Sequence, residues 1–212
     1  MRFSDRRAAG ELLGILVTEA DPIDPVVFCL PRGGVPVGFE VAHVLDCELD
    51  VLVVRKLGVP NQPELAMGAI GDDGVIIGND EIIAAAHVEA DVFNSVVERE
   101  RAELERRAST YREIAEAVDP SGRTAIVVDD GLATGSTAAA GIAVLRERGT
   151  EEVWLAAPVA PRETTRSMER LADRVIVLSQ PRVFGSVGSW YRDFQQTTDI
   201  EVRALLAESR LR

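Results

Sequence analysis

The sequence predicts an α/β fold, a doubly wound parallel sheet of the Rossmann-like kind with helices on both faces. Short apolar runs, such as VVFCL at residues 26–30, are typical of strands buried on both faces. These runs alternate with helical segments, an order that implies right-handed crossovers between parallel strands. Apolar residues make up 46% of the 212 residues, enough to build a substantial core. We therefore expect a single domain spanning residues 1–212.

Capping residues and apolar spacing predict the first elements. Ser4 is a candidate N-cap for a helix that reaches about residue 20. The strand at 26–30 leads through the segment PRGGVPVG into a helix over about 37–45. A second strand follows at 50–54.

The middle of the chain predicts a loop, a hairpin and one long helix. Residues 55–68 are rich in Gly and Pro and lack apolar periodicity, which indicates a loop. Residues 69–78 alternate around Asp72-Asp73-Gly74, the pattern of a β-hairpin. Residues 79–118 follow a helical pattern, and opposite charges three and four positions apart indicate a solvated face.

The last third predicts strands joined by helices and an aromatic tail. Three apolar runs are expected to be buried strands: residues 124–130, 152–160 and 174–180. Helices are expected up to Gly149, over about 162–171, and from near Thr198 to the C-terminus. The intervening tail is irregular and concentrates aromatic side chains.

Composition excludes several classes of function. The formal net charge of −12 is unfavourable for binding nucleic acid polymers, whose affinity comes mostly from Lys and Arg on phosphates. No apolar stretch is long enough to span a bilayer, and the N-terminus lacks the pattern of a signal peptide. We therefore expect a cytoplasmic protein without a membrane partner.

Cysteine and histidine spacing gives no metal motif. Cys29 and Cys47 have apolar surroundings and no CxxC spacing, which favours buried free thiols over a disulfide or a metal site. His43 and His87 lie far apart in sequence. A metal bound by protein ligands alone is therefore not expected.

The segment VVDDGLATGST at residues 127–137 carries the strongest chemical signal. Asp129 and Asp130 end a predicted buried strand, where their carboxylates would accept hydrogen bonds from vicinal ribose hydroxyls. The following small residues let backbone amides and a helix N-terminus converge on a phosphate. Each half alone is also typical of an ordinary turn or helix cap. Together they predict a ribose 5-phosphate site, whereas GxxxxGK[ST] and GxGxxG motifs are absent.

This segment resembles the PRPP-binding motif of the type I phosphoribosyltransferase family. The segment LPRGGVPVG resembles the family's pyrophosphate loop, and VRKLGVPNQPELAMGAI resembles its mobile catalytic loop. The chain is most similar to uncharacterised bacterial and archaeal members with RGG, RKLG and WYRDF segments. The resemblance implies a core over about 22–180, with hood elements over about 1–20 and 181–212, and a β-hairpin and catalytic-loop insertion.

The resemblance also implies roles for particular residues. Asp129 and Asp130 would hold the ribose hydroxyls close to the positive charge that develops at the anomeric carbon. Arg55 and Lys56, the only lysine, would supply charge to the leaving pyrophosphate, although a solvated strand end remains an alternative. The 5-phosphate loop would comprise Ala133, Thr134, Gly135, Ser136 and Thr137. The pyrophosphate loop would comprise Arg32, Gly33 and Gly34, often with a non-proline cis peptide, or else form a simple turn.

The acceptor is less defined than the donor. Ala133 stands where 6-oxopurine members have an Asp, which weakens hypoxanthine or guanine as acceptors. The aromatic residues Trp190, Tyr191 and Phe194 either stack on a base or pack the tail onto the domain.

The expected activity is that of a glycosyltransferase (pentosyltransferase) that moves ribose 5-phosphate from PRPP to a small nitrogenous base. Mg²⁺ would arrive mostly on the substrate, near the acidic pair. A second interpretation is a regulatory protein that binds PRPP or a nucleotide without turnover. The intact cationic loop with Lys56 favours the enzyme, in which the loop at residues 54–68 would close over the substrate. Family members are commonly dimers, so a homodimer is expected from the resemblance.

Overall fold

The computed structural model describes residues 2–72, 74–114 and 116–211, so that the predicted turn residue Asp73 lies outside the described residues. The strands are β1 (Pro25–Cys29), β2 (Glu48–Val51), β3 (Val54–Val59), β4 (Gln62–Gly71), β5 (Ile76–Gly78), β6 (Thr124–Val128), β7 (Glu152–Val159) and β8 (Arg174–Ser179). The helices are α1 (Arg6–Thr18), α2 (Gly34–Leu45), α3 (Asp80–Ala85), α4 (Ala90–Arg112), α5 (Ser136–Glu147), α6 (Arg162–Met168) and α7 (Asp199–Ser209). A 3₁₀ turn, Val187–Trp190, precedes α7.

The central sheet is parallel throughout its described strands, in the order β2-β1-β6-β7-β8. Side chains of β1 alternate between two cores, as the period of a strand requires. Val27 and Cys29 pack in the core that includes α1 and α2, whereas Val26 and Phe28 pack in the core that includes α5. Helices therefore cover both faces, which confirms the doubly wound α/β prediction.

The strand order places a topological switch point between β1 and β6. From β1 the chain proceeds outward to β2, and from β6 it proceeds in the opposite direction to β7 and β8. In open α/β sheets, ligands bind outside the carboxyl ends of the strands at such a point. The loops after β1 and β6 therefore determine where a ligand site can form.

The Gly- and Pro-rich segment at residues 55–68 is not a loop but a pair of strands, so this prediction was wrong. β3, β4 and β5 form an antiparallel sheet, in which Lys56 pairs with Ala69 and Val59 with Gln62. The glycines mark close backbone approach: a Cβ on Gly58 would lie 2.5 Å from the Pro63 carbonyl oxygen. Leu57 and Met67 are fully buried and anchor the hairpin to the core. The spacing of apolar residues in the sequence did not indicate this anchoring.

The predicted helix over 79–118 is also divided. α3 ends before His87, whose φ of 50° lies in the left-handed region that commonly ends helices. α4 begins after this break and ends at Arg112, and Asn79 caps α3 through its side chain.

Two further details complete the scaffold. Asp5, rather than Ser4, caps α1, because its side chain accepts a hydrogen bond from the Ala8 amide. Cys29 is buried and Cys47 half-buried, and both are free thiols, as predicted. Among the described helices, none combines the length and the apolar character that a membrane crossing demands.

Candidate functional site

The acidic pair and the first glycine loop meet at the switch point. Asp129 and Asp130 follow β6 directly, and Gly33 and Gly34 follow β1. A Cβ on Gly33 would lie 2.1 Å from Asp130 Oδ2, and a Cβ on Gly34 would lie 2.5 Å from the Val128 carbonyl oxygen. Only glycine permits this approach, so the two segments that the sequence singled out form one continuous surface.

The acidic pair lies in an environment that disfavours its negative charge. Burial raises the pKa of the Asp129 carboxyl, and the neighbouring Asp130 charge raises it further. Burial also raises the pKa of Asp130, although the Arg6 guanidinium opposes that shift. The Asp130 amide donates to Asp129 Oδ1 at 2.8 Å, which fixes the orientation of the first carboxylate. Two half-buried carboxylates side by side favour a cation or hydroxyl donors as a ligand.

Arg6 is a member of this site that the sequence did not indicate. Its Nε lies 2.8 Å from Asp130 Oδ2, and its Nη1 donates to the Gln195 carbonyl oxygen at 2.7 Å. The guanidinium also lies over the Phe194 ring, 3.8 Å from the centroid. Because Arg6 and Asp130 are 124 positions apart, no local pattern could have revealed the contact.

The predicted phosphate loop leads into α5 with its amides available. Gly135, the N-cap, adopts a φ of 74° and has no side chain to cap the first turn, and the Ser136 amide makes a long hydrogen bond of 3.4 Å to Thr134 Oγ1. The first N–H groups of a helix have no partner within the helix, and Ala133, Thr134 and Thr137 are exposed. Thr134 and Ser136 share a hydroxyl hydrogen bond of 3.0 Å. This geometry is suited to an anion.

Helix α6 anchors the same loop. The buried Thr164 hydroxyl donates to the Ala133 carbonyl oxygen at 2.7 Å. Sequence reasoning did not include Thr164, since the contact joins segments 31 residues apart. This hydrogen bond ties the loop to α6.

In the pyrophosphate-loop segment, the peptide between Pro31 and Arg32 is cis. The resemblance implies a non-proline cis peptide in the region of Arg32 and Gly33, and the observed bond includes Arg32. Gly33 and Gly34 begin α2, and the Gly34 amide donates to the Leu30 carbonyl oxygen at 3.0 Å.

Arg55 and Lys56 lie next to each other on β3 and have different surroundings. Both belong to β3, and neighbouring side chains of a strand point to opposite faces. Arg55 is held by Glu100 of α4, with N–O distances of 2.9 and 2.6 Å. Lys56 instead lines a cavity of about 560 Å³ that Thr134, Gly135 and Ser136 also border. The two side chains were expected to serve one pyrophosphate, and the strand geometry separates them.

The aromatic tail packs mainly against the N-terminus. Tyr191 is 1% exposed, and its ring lies between those of Phe3 and Phe194. Its hydroxyl donates to the Asp130 carbonyl oxygen at 2.5 Å, so Tyr191 packs the tail and presents no face to a base. Trp190 is half-buried and donates to the Phe184 carbonyl oxygen, whereas Phe194 keeps 37% exposure.

A cleft of about 380 Å³ opens beside Asp130. Arg6, Arg32, Gly33 and Phe194 contribute to its walls. Phe194 and the Arg6 guanidinium thus stand next to the acidic pair at the open end of the site. Within the described residues, no cluster of three or more His, Cys, Asp or Glu side chains could hold a metal ion alone.

Comparisons with known proteins place the chain in a family. The sequence model of a protein family, the phosphoribosyl transferase domain, matches residues 6–191. The chain is 47% identical over 204 residues to the provisionally named phosphoribosyl transferase MT0597 of Mycobacterium tuberculosis; the match covers 96% of this chain. It spans about half, 46%, of that relative's length.

A solved structure has the same architecture. The protein TT1426 from Thermus thermophilus superposes with a TM-score of 0.94 at 39% identity, and the likeness covers 98% of this chain and 99% of that one. The fold, the matched domain and the sequence identity agree, and the chain belongs to the phosphoribosyl transferase domain family.

Proposed function

We propose that this protein is a Mg²⁺-dependent phosphoribosyltransferase that moves ribose 5-phosphate from PRPP to a nucleobase-like nitrogen acceptor and releases pyrophosphate. One observation carries the proposal: the glycine loop after β1 packs directly on the carboxylates after β6, beside the uncapped N-terminus of α5. Three parts of one substrate, a ribose, a 5-phosphate and a pyrophosphate, match these three features.

The 5-phosphate would bind at residues 133–137, where exposed hydroxyls and amides replace its hydration. Asp129 and Asp130 would accept hydrogen bonds from the ribose hydroxyls. The pyrophosphate would lie against Arg32, Gly33 and Gly34. Bound in this way, the anomeric carbon would lie beside Asp130, whose negative charge would stabilise an oxocarbenium-like transition state.

The donor atoms present fit a magnesium ion. Mg²⁺ prefers oxygen ligands, and it commonly binds one or two carboxylates together with substrate phosphates. Asp129 and Asp130 supply such carboxylates, in surroundings that raise their pKa and therefore favour a nearby cation. When bound, the ion would neutralise charge on the phosphate oxygens. The protein's own contribution is to orient the ribose between the acidic pair and the phosphate loop.

The acceptor would enter through the cleft beside Asp130. Arg6 now pairs with Asp130 and covers the Phe194 ring, so a base that stacks on Phe194 has to displace the guanidinium. Ala133 provides no carboxylate for the proton of a 6-oxopurine, which favours other nitrogen bases. On family resemblance alone, we extend the proposal to a homodimer.

A regulatory protein that binds PRPP without turnover is the second candidate. The ion pair between Arg55 and Glu100 favours it, because it withdraws a cation that the enzyme was expected to use on pyrophosphate. Turnover with any base would exclude this candidate.

The deciding experiment is a panel of nucleobases with PRPP and Mg²⁺, in which pyrophosphate release is measured. We expect release with at least one base and a decrease of about tenfold or more in Asp130→Asn, which keeps the shape and removes the charge. Tight PRPP binding without release for any base would support the regulatory candidate. If calorimetry detects no PRPP binding by the wild type, the proposal is wrong.

A second prediction concerns the phosphate loop. Gly135→Ala should weaken PRPP binding about tenfold or more, because a left-handed φ costs a non-glycine residue about 1–2 kcal/mol and relaxation moves the amides away. The new Cβ would also lie 3.1 Å from the Met168 side chain.

Gly149→Ala is the matched control for this variant. Gly149 follows the same helix, with a φ of 77°, and its nearest neighbour is the Ser121 hydroxyl at 3.6 Å. The control should lower the melting temperature without changing PRPP affinity. Equal affinities in the two variants would remove the loop from the proposed site.

A further inference from the structure

A second cleft, of about 200 Å³, lies beside the pyrophosphate loop and contains a cluster of arginines. Its lining includes Arg32 from the loop after β1, Arg106 and Arg107 from α4, and Thr137 from the first turn of α5. The cleft thus joins the two segments assigned to the phosphates of PRPP. Residues that follow β1 and β2, such as Pro31 and Leu52, also line it, so that it lies at the carboxyl ends of these strands.

Glu103 brings the two α4 arginines together. Arg106 Nε and Arg107 Nε lie 2.9 and 2.7 Å from the Glu103 carboxylate oxygens, three and four positions back along the helix. The pairing draws two consecutive guanidinium groups towards the same side of α4. These exposed pairs add little stability, and the side chains keep 68% and 48% exposure.

The remaining charged group of the cleft is Asp199. Its carboxylate accepts a hydrogen bond of 2.7 Å from the Tyr111 hydroxyl and lies 3.8 Å from Arg32 Nη1. Three guanidinium groups therefore meet two carboxylates, those of Glu103 and Asp199. In a chain with a net charge of −12, this excess of positive charge beside a glycine loop is a local feature.

We propose that Arg106 and Arg107 bind the pyrophosphate group of PRPP and of the released product, together with Arg32. This inference rests on the proposed function and replaces the expected contribution of Arg55, whose guanidinium is held by Glu100. Guanidinium groups bind phosphate oxygens in bidentate fashion, and a diphosphate offers enough oxygens for several of them. α4 would thereby act as one wall of the leaving-group site.

The test measures binding of magnesium pyrophosphate by calorimetry, independently of turnover. Arg106→Ala and Arg107→Ala should each weaken binding about tenfold, equivalent to about 1.4 kcal/mol, and the double variant should weaken it about 100-fold. The affinity for ribose 5-phosphate should change by less than about twofold, because that ligand lacks the pyrophosphate group that the two arginines are proposed to bind. A melting curve verifies that the double variant is folded.

Arg99→Ala is the matched control. Arg99 lies on the same helix, pairs with Glu100 at 3.2 Å and has the same 68% exposure as Arg106, but it does not line the cleft. Its loss should leave pyrophosphate affinity unchanged. If the double variant binds pyrophosphate as tightly as Arg99→Ala does, or if the wild type does not bind pyrophosphate, the inference is wrong.

The outcome is separable from that of the proposed function. One outcome is pyrophosphate binding that depends on the two arginines, without release of pyrophosphate for any base in the panel. It would support the role proposed for the two arginines and contradict the proposed enzymatic activity. The other outcome is a double variant with unchanged turnover and unchanged pyrophosphate affinity. It would support the proposed enzymatic activity and contradict the role proposed for the two arginines.

Discussion

Gly33→Ala is expected to lower the rate of pyrophosphate release about 100-fold, since a displacement of about 1 Å at a reacting centre has effects of this size. The new Cβ would lie 2.1 Å from Asp130 Oδ2, too close for any real contact. The backbone of Gly33, with φ −60° and ψ −35°, suits alanine, so the carboxylate is the group that has to move. Its ion pair with Arg6 would be distorted at the same time.

The free energy of unfolding should change little in this variant. The Asp130 carboxylate is the end of a rotatable side chain just beyond the carboxyl end of β6. Its shift disturbs no backbone hydrogen bond of that strand. Steady-state pyrophosphate release and chemical denaturation of the same preparations would separate the two effects. A variant that retains full turnover would show that the position of Asp130 does not limit the reaction.

Gly34→Ala is the matched comparison. We expect it to lower the free energy of unfolding, which Gly33→Ala leaves nearly unchanged. Its Cβ would meet the Val128 carbonyl oxygen at 2.5 Å and the Asp129 Cα at 3.0 Å, which are backbone atoms that cannot rotate away. Replacing a helical glycine with alanine normally stabilises by about 0.5–1 kcal/mol. Overpacking costs about 1–3 kcal/mol, so we expect a net loss of stability.

The fold was predictable because its signals are local. The buried runs around Phe28 and Val127 are continuous and apolar, and each precedes a loop of small residues. The segment at 129–137 combines an acidic pair, a glycine loop and a helix start within nine consecutive residues. Such a segment folds by short-range geometry, and its chemistry can be recognised without knowledge of the remaining fold.

Other parts of the candidate site depend on contacts between distant segments. Arg6 meets Asp130 only after α1 has packed against the sheet, and Thr164 meets Ala133 only through α6. Arg55 and Lys56 are neighbours in sequence, but the strand points them to opposite faces. The opposite charges around Arg106 indicated a solvated helix face, and they gave no sign that this helix borders the pyrophosphate loop.

Arg112→Met is expected to lower the free energy of unfolding by about 3–5 kcal/mol, the typical cost of breaking a buried ion pair from one side. Arg112 Nη1 donates to Asp50 Oδ1 at 2.7 Å, and Nη2 donates to Asp72 Oδ2 at 2.8 Å. Asp50 is fully buried, and Asp72 is 5% exposed on its side chain. Methionine would retain the apolar packing of the arginine stem and leave both carboxylates without this cation.

The contrast with an exposed pair tests the cause of that loss. Arg106→Met, on the same helix, removes the pair with Glu103 and should cost less than about 1 kcal/mol, because water screens exposed ion pairs. Chemical denaturation would measure both variants. A loss below about 1 kcal/mol in Arg112→Met would show that the buried pair contributes no more than a surface pair.

Removal of the buried charge should recover part of the stability lost in Arg112→Met. In the double variant Asp50→Asn with Arg112→Met, residue 50 is neutral, and its side-chain oxygen still accepts a hydrogen bond. In the wild type the Val51 amide donates to Asp50 Oδ1 at 2.8 Å and the Val118 amide to Asp50 Oδ2 at 3.0 Å, so asparagine keeps an acceptor for one of these two amides, and the stability that is recovered is only partial. If the cost of the single variant comes from an uncompensated buried carboxylate, the double variant is more stable than the single one. If it comes from lost packing around Arg112, the second substitution lowers the stability further.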